Sequence, residues 1–223
     1  IFIKSININL MNKLLLKNIV FILYFKYSFC LKYDYPYNPN IHNLGNTGFW
    51  GSIHAKITPK FISYSDKNLY GFNLRQSVLT RFDKSKSILD FGCGTGFSTN
   101  CNNISLGIDT SLQMINEAKK IFPNKKFEIG HAEYFKSMNK YDLVTCMFLL
   151  HEVPKVNRKN IIDNAISLAK EKIIILDIAS NYNPSKFMIN GEPYLEDYLN
   201  NIDNELENFK KIIIKENHIH LWV

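Results

Sequence analysis

Two periods of apolar residues alternate along the second half of this chain. Short apolar runs at 87–91, 105–109, 126–130, 143–148 and 172–178 have the length and composition of buried strands, and most segments between them carry apolar residues at helical spacing. In one such segment Thr110-Ser111-Leu112-Gln113 offers a capping box, and Leu112, Ile115, Ala118 and Phe122 line one stripe. A second stripe runs through Ile161, Ile162, Ala165, Ile166 and Ala169. Beyond the fifth run, residues 191–209 read as a helix with Pro193 in its first turn. Residues 210–223 read as an antiparallel hairpin that turns near Glu216 and Asn217 and adds two edge strands. Strands alternating with helices predict βαβ units and a parallel sheet, so the expected fold class is α/β.

The first half follows another pattern. Residues 11–31 place lysines before a short apolar run at 19–25, closed by Lys26. That run falls well short of the roughly 20 mostly apolar residues needed to span a bilayer. A basic start, an apolar stretch and no acid across residues 1–33 fit either a targeting leader or a buried or amphipathic N-terminal helix. As a leader, the segment would be the part that meets a membrane or import machinery, and it would direct the protein to an organelle or the secretory route instead of the cytoplasm. The chain opens at Ile1, not Met, which leaves Met11 as a candidate start or the sequence as a fragment. From Asp34 the sequence turns polar and turn-rich, so a domain boundary is expected near residue 40. Residues 48–82 then supply an aromatic, mostly helical lead-in to the first strand.

Composition narrows the function classes. Apolar residues make up 46% and charged residues 21% of 223 positions, enough to build one core without disulfide staples. Four cysteines (Cys30, Cys93, Cys101, Cys146) form no CxxC pair and no Cys/His cluster at zinc-ligand spacing, so free thiols and no metal site are expected. The formal charge of +7 is concentrated at the start: of 27 basic and 20 acidic residues, five lysines (Lys4, Lys13, Lys17, Lys26, Lys32) and no acid fall in residues 1–33, leaving 22 against 20 elsewhere. A nearly neutral body lacks the clustered Lys and Arg of a phosphate-tracking groove, and no nucleic-acid partner is expected.

The sharpest chemical signal is Ile88-Leu89-Asp90-Phe91-Gly92-Cys93-Gly94-Thr95-Gly96, a buried strand running into a glycine loop. Glycines permit a tight turn and close approach of a ligand to the backbone, and a helix start beyond them would offer free N–H groups to an anion. Asp109 closes the next strand, where a carboxylate can accept from both hydroxyls of a ribose. Together these point to a nucleoside-bearing cofactor. The dinucleotide fingerprint G-x-G-x-x-G would need its third glycine where Phe97 stands, which disfavours a nicotinamide-dependent oxidoreductase.

The run DFGCGTG with a downstream strand-end acid resembles the first motifs of the class I S-adenosylmethionine-dependent methyltransferases of the small-molecule type, over about residues 86–180. The resemblance implies a Rossmann-like, doubly wound, mostly parallel seven-stranded sheet with an antiparallel C-terminal hairpin. It further implies a methyltransferase domain over 40–223 with its cofactor core at about 86–180, and S-adenosyl-L-methionine as cofactor. Carried over by residue, Asp90, Gly92, Cys93, Gly94 and Gly96 belong to the loop around the methionine part and ribose, Asp109 to the ribose diol, and Thr110 and Met114 to the adenine side. Ala132 and Glu133 follow the third strand where many family members have Asp-Ala-Glu, with His131 in place of the aspartate, and Met147 at the end of the fourth strand joins the cofactor set. Only 13 residues, 92–104, link the first two strands, so the first helix is expected to be short.

His151 leaves the fourth strand at its carboxyl end, where open α/β sheets place their sites. It resembles the position at which some small-molecule O-methyltransferases keep a histidine that removes the acceptor's proton; the alternative is a histidine that packs the start of the next helix. No Asn-Pro-Pro-Tyr-like tetrapeptide follows strand four, and Cys146 lacks a preceding proline, which disfavours exocyclic-amine and cytosine-C5 methylation. A small-molecule acceptor is expected against the aromatics Phe49, Trp50, Tyr64 and Tyr70 and the 181–194 segment, with Arg75 either at the cofactor carboxylate or on the surface. The function expected is methyl transfer from S-adenosylmethionine to a small molecule; the rival is a methyltransferase-like binding or assembly protein without turnover.

Overall fold

The apolar runs sit side by side because each is too short and too apolar to be stable alone, and only lateral pairing satisfies its backbone. A computed structural model describes residues 45–82 and 85–223. The leader, its targeting role and the boundary near residue 40 lie outside the described residues. Among those residues the strands are β1 (Ile88–Phe91), β2 (Leu106–Asp109), β3 (Phe127–Ile129), β4 (Tyr141–Met147), β5 (Ala169–Ile178), β6 (Lys211–Lys215) and β7 (Ile219–Trp222). They form one sheet in the order β3-β2-β1-β4-β5-β7-β6. The first five strands are parallel; β7 runs antiparallel to both β5 and β6. The chain winds outward from β1 through β2 to β3, then returns to place β4 on the other side of β1. That reversal opens a crevice at the carboxyl ends of β1 and β4.

The helices are α1 (Gly48–Ser65), which continues through a π turn at Asp66–Tyr70, α2 (Leu74–Leu79), α3 (Leu112–Ile121), α4 (Lys155–Leu168), α5 (Lys186–Gly191) and α6 (Leu195–Glu205). Ser111 caps α3, its hydroxyl accepting from the Met114 N–H, as the capping signal predicts. Leu74, Val78 and Leu79 of α2 join Ile88, Leu143, Met147, Ile174 and Leu176 in one buried cluster, while Ile115 and Ala118 of α3 pack with Cys93 and Phe127 in another.

Four expectations are corrected. No helix forms between β1 and β2: residues 92–105 pass through turns, because three glycines with φ of 50° to 87° occupy its start and the side chains of Ser98 and Thr99 reach back to Asp90 instead of facing outward from a helix. The hairpin adds one edge strand, not two, since β7 slots between β5 and β6. The 181–194 segment contains the short helix α5, and Pro193 precedes α6 instead of lying in its first turn. Leu112, assigned to the apolar stripe of α3, is exposed, and Met114 takes the buried position.

One polar interaction joins two helices. Arg158 of α4 is fully buried; its guanidinium donates to Glu205 at 2.8 and 2.9 Å, to Asp197 at 2.5 Å and to the Val153 carbonyl at 2.9 Å. Breaking a buried, hydrogen-bonded ion pair strands its partners, so Arg158→Ala should cost about 3 kcal/mol in urea-unfolding stability. Arg158→Lys should recover less than half of that, because an ammonium cannot reproduce the planar fork. Wild-type stability in Arg158→Ala would show that the pair contributes nothing, and in Arg158→Lys that the planar fork is not needed.

Candidate functional site

The glycine loop is held open from three sides. At its base Asp90 is completely buried, and its carboxylate accepts from Ser98 Oγ (2.8 Å), Thr99 Oγ1 (2.7 Å) and Thr145 Oγ1 of β4 (2.8 Å). Burial still pushes the Asp90 carboxyl above the usual range, against those hydroxyls. On the outer side the Lys125 ammonium donates to the Gly96 carbonyl at 2.9 Å and lies over the Phe122 ring, while the Gln76 amide of α2 donates to the Phe97 carbonyl at 3.0 Å. Gly94 and Gly96 need glycine for different reasons. A Cβ on Gly96 (φ +87°) would come within 2.6 Å of the Phe127 ring, so this glycine serves packing; a Cβ on Gly94 (φ +50°) would meet nothing within 4 Å, so open space lies over this backbone.

Asp109 stands beside that open space. Its Oδ2 accepts from the Gly94 N–H at 2.8 Å and its Oδ1 from the Ser111 N–H at 2.8 Å. Burial pushes its carboxyl up to about 6; the two N–H groups oppose the shift, and the charges of Glu152 and Asp90 add to it. Thr110 is half-buried next to it and Met114 is buried in the first turn of α3. After β3, Ala132 and Glu133 are buried; Asn164 donates to the Ala132 carbonyl at 2.7 Å, and Asn157 donates to Glu133 Oε1 at 3.1 Å. Two buried polar atoms here have no hydrogen-bond partner: Thr95 Oγ1 in the loop and Nδ1 of His131.

The exit from β4 is also clamped. Met147 is buried at the strand end, and Phe148 takes a φ of +60°, rare for an aromatic residue, with the Arg75 guanidinium 4.4 Å above its ring. His151 is 5% exposed, and its Nδ1 lies 2.6 Å from Oδ1 of the fully buried Asp177 at the end of β5. Oδ2 of Asp177 accepts from the backbone N–H groups of Leu150 (2.9 Å) and His151 (3.3 Å). Glu152 lies on the other side of the imidazole, 3.9 Å from Nε2. Cys93 and Cys146 are free buried thiols, both pushed up by burial and therefore un-ionised.

The structure thus places Asp90, Gly92, Cys93, Gly94, Gly96, Asp109, Thr110, Met114 and Met147 on or just beyond the carboxyl ends of the adjacent strands β1, β2 and β4, with Ala132, Glu133 and His151 just past β3 and β4. Arg75 lies inside the fold, 3.5 Å from Asp66, and is no surface residue. Tyr70 packs against the core, whereas Phe49, Trp50 and Tyr64 face away from the body. A groove of about 280 Å³ runs between Ile62, Asp66 and Phe72 of the lead-in and Phe97 of the loop. Asp177 was missed by sequence reasoning, although an acid within the apolar run Ile173-Ile174-Ile175-Leu176-Asp177-Ile178 repeats the signal that singled out Asp90. Glu192, from the segment before α6, was missed as well; it is buried, and its charge reaches His151.

Residues 88–172 match the family described as Methyltransferase domain. The chain is 29% identical over 123 residues to the Ubiquinone biosynthesis O-methyltransferase of Coxiella burnetii, an alignment that covers 50% of this chain and 52% of that protein. The chain thus spans about half the length of the curated relatives it matches. Among solved structures it resembles the DhpI–SAH complex (TM-score 0.55, 13% identity, 77% of this chain and 92% of that one). It also resembles a TehB-like SAM-dependent methyltransferase from Corynebacterium glutamicum (TM-score 0.51, 14% identity, 77% and 98%). Both likenesses are of fold. The sheet order, the glycine loop and the acid closing β2 agree with the domain match, and residues 88–172 carry a methyltransferase domain of the class I, S-adenosylmethionine-dependent kind.

Proposed function

We propose that this chain binds S-adenosylmethionine across the carboxyl ends of β1, β2 and β3 and transfers its methyl group to a small-molecule acceptor. The observation that carries this reading is the pairing of Gly94 with Asp109: open space over a glycine backbone lies beside a strand-end carboxylate. Each carboxylate oxygen accepts one backbone hydrogen bond and keeps a lone pair for a hydroxyl. The unpartnered Thr95 Oγ1 and His131 Nδ1 support the same fit, since a buried polar atom without a partner costs roughly 1–3 kcal/mol and a polar ligand would supply one. The Coxiella relative is by name an O-methyltransferase of ubiquinone biosynthesis, which favours a hydroxyl-bearing small molecule as acceptor here.

When bound, the cofactor would supply an electrophilic methyl group on a sulfonium to the acceptor's lone pair, the acceptor's hydroxyl proton leaving to solvent. The protein's share is to hold the partners in line and to keep water out. The loop and Asp109 would fix the ribose and methionine parts, and Ala132 and Glu133 would flank the adenine. Asp177, Glu152 and Glu192 set a negative field around the exit of β4, which favours a cation in the crevice.

His151 enters this scheme as a charged residue. Burial opposes its protonation, but Asp177 at 2.6 Å outweighs burial, with Glu152 and Glu192 adding to it, and its pKa is raised to about 9. At neutral pH it therefore carries its proton and cannot take another. We read it as a positioning residue that ties the β4 exit to β5.

Asp109→Ala should weaken S-adenosylmethionine binding about 10- to 100-fold by calorimetry, the value of losing one charge-assisted hydrogen bond. In the wild type, affinity should fall as pH drops through about 6, where the carboxylate becomes protonated. Full affinity in the variant would reject the assignment.

Gly94→Ala should lower the unfolding free energy by only about 1 kcal/mol of backbone strain, yet abolish cofactor binding, because the added methyl group fills the space over the loop. Equal loss of folding and binding would mean that this glycine is structural.

Below its ordinary 6.5 the raised His151 pKa contributes its full stabilisation, on the order of 3 kcal/mol, and this is lost as pH rises through about 9. Denaturant stability of the wild type should decline across that window, whereas His151→Asn should start lower and stay flat. Turnover of the folded variant at neutral pH should remain within about tenfold of wild type; a drop of about 10² to 10⁴ would instead identify His151 as the base.

A further inference from the structure

The helix α1 has its faces arranged opposite to what a core helix needs. Its inner side is built from small residues, Gly51 and Ala55, which are buried against the body where α1 meets α3. Trp50, Ile57, Phe61 and Tyr64 recur at helical spacing on the side roughly opposite, and they are 58%, 47%, 70% and 65% exposed. Lys56 and Lys60 border this stripe and are exposed, and residues 48–65 contain no acid. Scattered exposed apolar residues are ordinary; a largely aromatic stripe with lysines along one side is not.

We propose that the outer face of α1 docks on an anionic lipid bilayer, lying in the plane of the interface. Tryptophan and tyrosine favour the headgroup level because each carries an apolar ring with a polar handle, and lysines beside them meet the negative charge of the lipid phosphates. None of the helices among the described residues is long and apolar enough to cross a membrane, which is consistent with lying on the surface. Charge decides against two other occupants. Residues 1–33 carry five lysines and no acid, so this segment has the same sign as α1 and would be repelled by Lys56 and Lys60. A second copy packed symmetrically on this stripe would bring the same lysines together.

The chain contains its own reporter for the test. Of its two tryptophans, Trp50 is exposed on the stripe and Trp222 is 1% exposed, so a change in emission on adding vesicles reads α1 whatever the leader does. The full chain is titrated with phosphatidylcholine vesicles containing or lacking phosphatidylglycerol, following tryptophan emission and quenching by iodide. A blue shift and protection from iodide are expected only with the anionic vesicles, reversed by high salt and absent in Trp50→Phe. The double variant K56Q/K60Q, altered at two exposed positions, should keep its circular dichroism and require roughly 30-fold more lipid. Unchanged Trp50 emission would overturn the proposal, even if the protein sediments with vesicles, since another segment would then be the anchor. So would a shift that K56Q/K60Q leaves intact, or one that appears with protein concentration alone and thus reports a second copy.

Discussion

The crevice depends on two buried carboxylates that grip β4 from its two neighbours. Asp90 at the end of β1 accepts from Thr145 within β4, and Asp177 at the end of β5 accepts from the Leu150 and His151 N–H groups just past it. An unpaired carboxylate in such a place would cost several kcal/mol, so each must collect donors, and the donors it collects fix the backbone that carries them. Asp90 draws Ser98 and Thr99 back under the glycine loop, which is how the segment 92–105 crosses from β1 to β2 with no helix to stiffen it. Asp177 draws in His151 and defines the direction in which the chain leaves β4.

The consequence for chemistry is a division between acids that are used up and acids that are not. Asp90 and Asp177 spend their lone pairs on the protein itself. Asp109 accepts only two backbone N–H groups and lies beside the open space over Gly94, and burial holds its carboxyl up at about 6, with Glu152 adding to the shift. Preorganised groups at the strand ends are what methyl transfer from a sulfonium requires, since the protein need only orient the partners and exclude water.

The lead-in helices connect this crevice to the outside. Their inner residues, Gln76 and Arg75, reach the loop and the Phe148 ring, while the outer residues of α1 present aromatics to the surroundings. The lead-in thus borders the site through α2 and exposes aromatic side chains along α1.

Much of this was legible in the residues alone. The five parallel strands, the C-terminal hairpin, the Ser111 cap and the glycine loop with Asp109 follow from local rules: period, capping chemistry and the intolerance of L side chains for positive φ. What the sequence could not reveal were the pairings made by residues far apart in the chain. Ser98 and Thr99 look like helix residues until a buried Asp90 competes for their hydroxyls; β7 looks like an edge until β6 folds outside it; Leu112 looks buried until α3 rotates to turn Met114 inward. His151 is the clearest case. From sequence it is an imidazole with an ordinary pKa at a strand end, available as a base; only the fold brings Asp177 from 26 residues away to within 2.6 Å and leaves it a cation, because charge state depends on what is near in space and local sequence carries no record of that.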